Sequence, residues 1–210
     1  MPYIIEEKTV GLAWLKYIEY VCTKGSFYYD ESDKIIEISD LIIKIHSNII
    51  EDDILLRFAN RHLEDLYLEK MQSCEIVEEL NASYGKRIFG LPEVNQYEWC
   101  KSRLLNKPET KAATIALFLP NDPGPRIPCL TTIDFKLRNE VLDTKCFFRS
   151  QNAMNSYGNF RALFWLSNKM ANDLGVKCGS ITCFISNGHI YEKDIEKAKL
   201  ILNSAKEVLL

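Results

Sequence analysis

Residues 127–150 read IPCLTTIDFKLRNEVLDTKCFFRS. β-Branched and aromatic residues flank Arg138–Glu140, which predicts two strands, Cys129–Leu137 and Val141–Arg149. If Asn139 and Glu140 form the tight turn, Lys136 faces Asp143 and Asp134 faces Lys145. Both pairs are opposite in charge and lie on one face, as cross-strand pairing favours. The other face holds Thr131, Ile133, Phe135 and Leu137, with Cys129 at its end.

Outward from this hairpin, an amphipathic helix is expected at about Phe160–Leu174, stopped at Gly175. Ser180–Ser186 reads as a strand and Lys193–Leu209 as a final helix. Upstream, Ala113–Leu119 is an apolar strand, and Asn121–Pro125 is a turn. Tyr97–Leu105 should be helical, ending before Pro108, and Asn81–Gly90 is a loop. Glu51–Leu80 is charged and helical in pattern. Near the start, Thr9 suits an N-cap, and Val10, Ala13, Trp14, Tyr17, Ile18 and Val21 recur at helical spacing. Gly25 is expected to end that helix in a left-handed cap. Phe27–Tyr29, a polar turn at Asp30–Lys34 and the run Ile35–Ile45 predict a hairpin or a pair of strands.

Composition excludes several classes. The chain has 210 residues, 47% hydrophobic and 26% charged, with a formal net charge of -3. A single domain over residues 1–210 is expected. The charge argues against a nucleic-acid surface, which needs clustered Lys and Arg. MPYIIEEKTV shows no basic segment followed by a long apolar stretch, so no signal peptide is expected. No apolar run reaches membrane-span length. Seven cysteines, an odd number without a CxxC, suit reduced thiols and a cytoplasmic location. His46, His62 and His189 lack partners at metal-ligand spacing, so no metal site is expected.

Four local features could carry chemistry, and each has a plain alternative. Pro128-Cys129 opens a strand, where a thiol can face a cleft or be a small buried hydrophobe. Arg149-Ser150 ends the partner strand. An arginine there can favour a thiolate, bind an anion, or simply cap a surface strand. His189-x-Tyr191 lies just beyond a strand. If that stretch stays extended, both side chains face the same way toward one ligand, or they are an edge histidine and a half-buried tyrosine. Tyr84-Gly85-Lys86-Arg87 offers a phenol and two cations in a loop, or is a solvated turn.

The order of these features matters more than any one of them. Pro-Cys, then Arg-Ser at the end of the next strand, then a helix rich in Leu and Ala, then a strand leading to His-x-Tyr, resembles the catalytic half of the thymidylate synthase family. The loop Ser83–Ile88 resembles that family's Tyr-Gly loop. The stretch from Glu7 to Gly25, followed by Asp30–Ile45, is similar to its archaeal and nucleotide-hydroxymethylase branch. The resemblance implies an α/β (α+β) fold, a mixed sheet packed with helices, acting as a homodimer on a small-molecule substrate. Leu117, Leu119, Phe147 and Phe148 are the expected apolar faces of that dimer. It also implies 5,10-methylenetetrahydrofolate as the cofactor and Cys129 as a nucleophile that adds to carbon 6 of a pyrimidine. Arg149 would lie near the thiolate and the substrate phosphate, and Tyr84 would join the polar network around the ring. Ser150, beside Arg149, would bind the substrate, and His189 and Tyr191 would hold the sugar hydroxyl.

The chain departs from the pattern at several positions. Lys111 and Ala112 stand where the family has an Arg-Arg pair that reaches a phosphate in the partner subunit. The early turn carries Lys34 in place of an arginine. Asn152 replaces a carboxylate that touches the pterin. The base-reading asparagine falls near Phe160, and Asn159, one place earlier, would bind the substrate in its stead only if the loop shifts. About twenty residues follow Tyr191, where the family has a longer tail over the folate. These changes point away from thymidylate synthesis itself. They point to a divergent enzyme that methylates or hydroxymethylates carbon 5 of a pyrimidine nucleotide or nucleoside, in a specialised biosynthetic pathway. The alternatives are a non-catalytic binding or dimerisation protein on the same fold, and an enzyme that uses the Cys site on a substrate other than a pyrimidine.

Overall fold

A computed structural model describes residues 2–47, 52–80, 83–90, 94–119 and 127–209. The turn expected at Asn121–Pro125 lies outside the described residues. The strands are β1 (Tyr3–Glu7), β2 (Ser26–Asp30), β3 (Asp33–Ile45), β4 (Thr114–Ala116), β5 (Leu130–Arg138), β6 (Val141–Asn152) and β7 (Lys177–Tyr191). They form one mixed sheet in the order β1-β3-β7-β6-β5-β4, with β2 paired to β3. β1 with β3 and β6 with β7 are parallel, and the other pairs are antiparallel. The helices are α1 (Val10–Lys24), α2 (Asp53–Phe58), α3 (Arg61–Gln72), α4 (Gly85–Phe89), α5 (Gln96–Asn106), α6 (Ser156–Leu174) and α7 (Ile195–Leu209). This is the mixed α/β fold expected of the sequence.

The central hairpin forms in the expected register. Asn139 and Glu140 take positive φ, 49° and 60°, and Lys136 pairs with Asp143, Asp134 with Lys145. The charges then choose other partners. Lys136 binds Asp134 two residues back at 2.6 Å, and Asp143 accepts from the amide and hydroxyl of Ser180 on β7.

Thr9 caps α1 through Leu12 N, and Gly175 ends α6 at φ 68°. Gly25 behaves differently from expectation. Its φ is -71° and ψ 160°, so it is extended, and glycine is required there by crowding. A Cβ would sit 2.5 Å from Val21 O and 2.9 Å from Ile36 Cγ1. The strand expected over Ala113–Leu119 shortens to β4, although Leu117 N still reaches Thr131 O. Leu117 and Phe148 are fully buried, not an exposed face; Phe118, Phe147 and Phe184 are the exposed apolar side chains there.

One irregular row shapes the sheet. Leu41, Ile185, Phe148 and Leu130 pair across four strands and are all buried. On the next row, β3 and β7 skip Asp40 and Ser186, β6 skips Arg149, and the β5 register shifts between Leu130 and Thr132. Asp40 takes φ 58°. Bulges of this kind shift the in-out alternation by one residue. In β6 the buried positions run Leu142, Thr144, Cys146 and Phe148, then Gln151. In β5, Leu137, Phe135 and Ile133 are buried, then Leu130. Cys129 therefore leaves the face of Ile133, where simple alternation puts it, and is exposed.

On the α1 side of the sheet, Tyr17 donates to Gln151 O and Trp14 Nε1 to the carbonyls of Ala153 and Met154. The Trp14 and Tyr157 rings meet edge to face at 4.8 Å, joining α1 to α6.

Candidate active site

Cys129 stands at the mouth of β5 on the irregular row, and Arg149 of β6 surrounds it. The Arg149 amide donates to Cys129 O at 2.9 Å. Its guanidinium donates to Pro128 O at 3.2 Å and Ile127 O at 2.9 Å, and Nη2 lies 4.0 Å from Cys129 Sγ. A guanidinium at that distance is placed to hold an anion on or beside the sulfur.

β6 continues past Arg149 to Asn152, and β7 runs on through His189 to Tyr191, so His189-x-Tyr191 lies inside a strand, not beyond it. The extended backbone sets the two rings on one side, 5.2 Å apart and edge to face. Ser150 Oγ lies 3.3 Å from His189 Nδ1. Burial lowers the His189 pKa below the ordinary histidine value, with Asp30 pulling it partly back. Burial likewise raises Tyr191, helped by Asp30, Asp33 and Cys129.

Tyr84 is not in an open loop. It is buried at the start of α4, and its hydroxyl accepts from Leu130 N at 3.4 Å, one residue from the thiol. Burial and the nearby Cys129 push its pKa well up.

Two residues join the site that the sequence reading did not single out. Burial and Cys129 raise Tyr67 to about 12. Lys70 lies with its Nζ 4.2 Å from the Tyr84 ring centroid and 5.5 Å from that of Tyr67. Both project from α3, within the stretch read only as charged and helical. A signal was present: Leu63, Leu66, Tyr67, Lys70 and Met71 form one inward stripe, and a lysine in an apolar stripe is unusual. Gly158 of α6 clamps Tyr67, because a Cβ there would meet the Tyr67 ring at 2.8 Å.

Other expected residues sit differently. Asn159 is buried in the first turns of α6 beside a fully buried Phe160. Asn152 Oδ1 caps the following turn through Met154 N at 2.9 Å. Lys111 is exposed, and its carbonyl takes Lys136 Nζ, so it lies toward the far end of β5 from Cys129. Lys34 is held by Glu192 at 2.6 Å.

Among the described residues no group of three or more His, Cys, Asp or Glu is placed to hold a metal, and no helix is long and apolar enough to cross a membrane.

Comparison with known proteins places the chain in a family. Residues 25–209 match the family model described as thymidylate synthase. Similar proteins include one named "putative thymidylate synthase" from Methanococcoides burtonii, 26% identical over 97% of this chain and 96% of its own length. Proteins of the same name from Methanosarcina mazei and Methanothermobacter marburgensis are 28% and 24% identical, over 95% and 97% of this chain and 94% and 100% of their own lengths.

Proposed function

Because this chain belongs to the thymidylate synthase family, we propose that it is a divergent member that modifies carbon 5 of a pyrimidine nucleotide or nucleoside through a Cys129 adduct. One observation carries this reading: an exposed thiol on the bulged row with Arg149 Nη2 4.0 Å from its sulfur. Carbon 5 of a pyrimidine is a poor nucleophile. Thiolate addition at carbon 6 turns it into an enolate-like centre that can take a methylene-level one-carbon unit, which would end as hydroxymethyl by taking water or as methyl by taking a hydride from a reduced carrier. Loss of the carbon-5 proton then expels the thiolate. Ser150, His189 and Tyr191 form the polar wall beside the thiol that suits a sugar hydroxyl.

The same positions argue against deoxyuridine monophosphate as the substrate. Each charge-assisted bond to a phosphate contributes about 1.5–3 kcal/mol. Lys34 is engaged with Glu192, and Lys111 and Ala112 offer one ammonium where the family has two guanidinium groups. Lysine cannot make the bidentate phosphate contact. Phe160 brings no hydrogen-bonding group to the pyrimidine edge.

The family uses 5,10-methylenetetrahydrofolate, and the pterin end fits poorly here. Asn152 has an amide where a carboxylate accepts from the pterin, and its oxygen is already taken by Met154 N. The reading therefore concerns the ring and its adduct, with the one-carbon donor a folate or another carrier.

Assembly is part of the reading. On the side of the sheet opposite the buried row, Ile4, Ile42, Phe184, Phe147, Thr132 and Ala116 pair in line across the strands. Ile4, Phe147 and Phe184 are 61%, 44% and 40% exposed, an apolar band that suits a two-fold homodimer.

The test mixes the protein with deoxyuridine monophosphate and methylenetetrahydrofolate and follows dihydrofolate. Negligible turnover is expected. Intact mass after incubation with uridine and cytidine nucleosides and nucleotides should show an adduct on Cys129. Robust thymidylate formation would return the chain to the ordinary synthases, and no adduct with any pyrimidine would favour a non-catalytic protein.

A further inference from the structure

Lys70 is an inward-facing cation without a counter-ion among the described residues. α3 exposes Asp65 and Glu69 and turns Leu66 and Met71 into the core, and Lys70 follows that inward stripe. Its ammonium rests against the faces of Tyr84 and Tyr67, and no carboxylate or carbonyl of the described residues bonds it. Burial lowers its pKa, and the charge of Cys129 pushes it back up, so the two groups sense each other. A half-buried ammonium costs solvation energy that an anion must offset. The geometry also fixes where it can act. The Tyr84 ring that supports it carries the hydroxyl bonded to Leu130 N, next to the thiol. Tyr67, its other support, is held by the close approach of Gly158.

We propose that Lys70 is the second cation of the Cys129 site, seated to take the negative charge that forms on a carbonyl oxygen of the bound ring when the thiolate adds. The inference deepens, and rests on, the reading of Cys129 as a nucleophile toward a pyrimidine. As the sulfur–carbon 6 bond forms, the carbon 5–carbon 6 π pair moves onto carbon 5 and the conjugated oxygen. Addition needs no proton; once carbon 5 has given that pair to the one-carbon unit, loss of the carbon-5 proton supplies the pair that restores the double bond as the sulfur leaves as thiolate. The ammonium meets charge that the ground-state ring does not carry, which is the condition for accelerating the step. Arg149 acts on the thiolate, and Lys70 on the ring anion.

Two alkylating agents separate charge from access. Iodoacetate and iodoacetamide react with the same thiol, but only the first is an anion. Their rate ratio at Cys129, read by peptide mass, should fall roughly fivefold in Lys70→Met, the size of a nearby charge in a partly solvated cleft. Lys70→Arg should keep most of the ratio. Thermal unfolding shows that each variant is folded, and Arg149→Met serves as the positive control. An unchanged ratio in folded Lys70→Met overturns the inference. A second arm incubates the native protein with 5-fluorouridine and 5-fluorocytidine, whose fluorine favours thiolate addition. A Cys129 adduct that forms more slowly in Lys70→Met supports the whole scheme, and one that forms at the native rate overturns the ring-anion role. A fallen ratio with no adduct supports Lys70 as a cation of the site while sinking the pyrimidine reading.

Discussion

Arg149 grips Cys129 twice: its amide donates to the Cys129 carbonyl at 2.9 Å, and its guanidinium nitrogen stands 4.0 Å from the sulfur. The guanidinium is itself fixed by the carbonyls of Ile127 and Pro128, so the cation moves with the segment that carries the thiol. A planar fork can serve several acceptors at once, which an ammonium cannot do with the same geometry.

This arrangement sets an order of thiol reactivity. Burial pushes Cys100 up to about 12 and Cys178 to about 11, and raises Cys22 and Cys146 as well. Cys129 and Cys74 are exposed, and of the two only Cys129 has a guanidinium beside its sulfur among the described residues. Labelling with a disulfide reagent at pH 8 should modify Cys129 first and Cys74 second. Cys129→Ala should unfold at the native temperature yet form no pyrimidine adduct. Earlier labelling of a buried cysteine would contradict the site geometry.

His189 gives a pH signature. Its folded pKa is lowered by burial, so the unfolded chain binds the proton more readily. The sign follows: the contribution is fully present above the unfolded value of about 6.5 and is lost as pH falls through the folded value. The groups nearest it, Ser150, Tyr191, Glu37 across the β3–β7 pairing and Asp30, do not reverse that direction. Urea midpoints should drop between pH 7.5 and 5.5 by more in the native protein than in His189→Gln. The difference should not exceed about 1.4 kcal/mol per pH unit. Equal slopes would show that the imidazole is not held neutral.

Gly158 tests the clamp between α3 and α6. An added methyl would stand 2.8 Å from the Tyr67 ring, whose centroid lies 5.5 Å from the Lys70 ammonium. Glu64 and Arg161 tie the same two helices at 2.6 Å, so separation is resisted. Gly158→Ala should destabilise the protein by about 1–3 kcal/mol, as overpacking does. A urea titration measures it, and an unchanged midpoint would mean that Tyr67 is loose.

The apolar band predicts assembly. Phe147 and Phe184 are paired neighbours on β6 and β7 and are both partly exposed. The native chain should sediment as a dimer at micromolar concentration. Phe147→Lys should yield monomer while leaving the core intact, since the side chain points away from it. A native monomer would remove the dimer from the reading.

Much of the fold was legible because it is local. The register of Lys136 with Asp143 followed from one turn and two charge patterns, and Thr9 and Gly175 followed from capping chemistry. Even there the ion pairs went elsewhere, since Asp143 found Ser180 on a strand that the hairpin does not contain. The candidate site was legible only as an order of motifs along the chain: Pro-Cys, Arg-Ser, His-x-Tyr.

By itself the amino-acid sequence determined helices α1, α5, α6 and α7, the central hairpin and the family, because turns, caps and periods of 2 and 3.6 residues are written in neighbouring positions. The tertiary structure alone decided that Leu117 and Phe148 are core, that Gly25 is extended, that Cys129 leaves the face of Ile133, and that Tyr67 and Lys70 stand beside it. Each of these depends on which strand or helix lies alongside. A bulged row shared by four strands, or a helix laid against a thiol some sixty residues ahead in the chain, has no signature in any one segment, because the contacts that enforce it exist only once the segments meet.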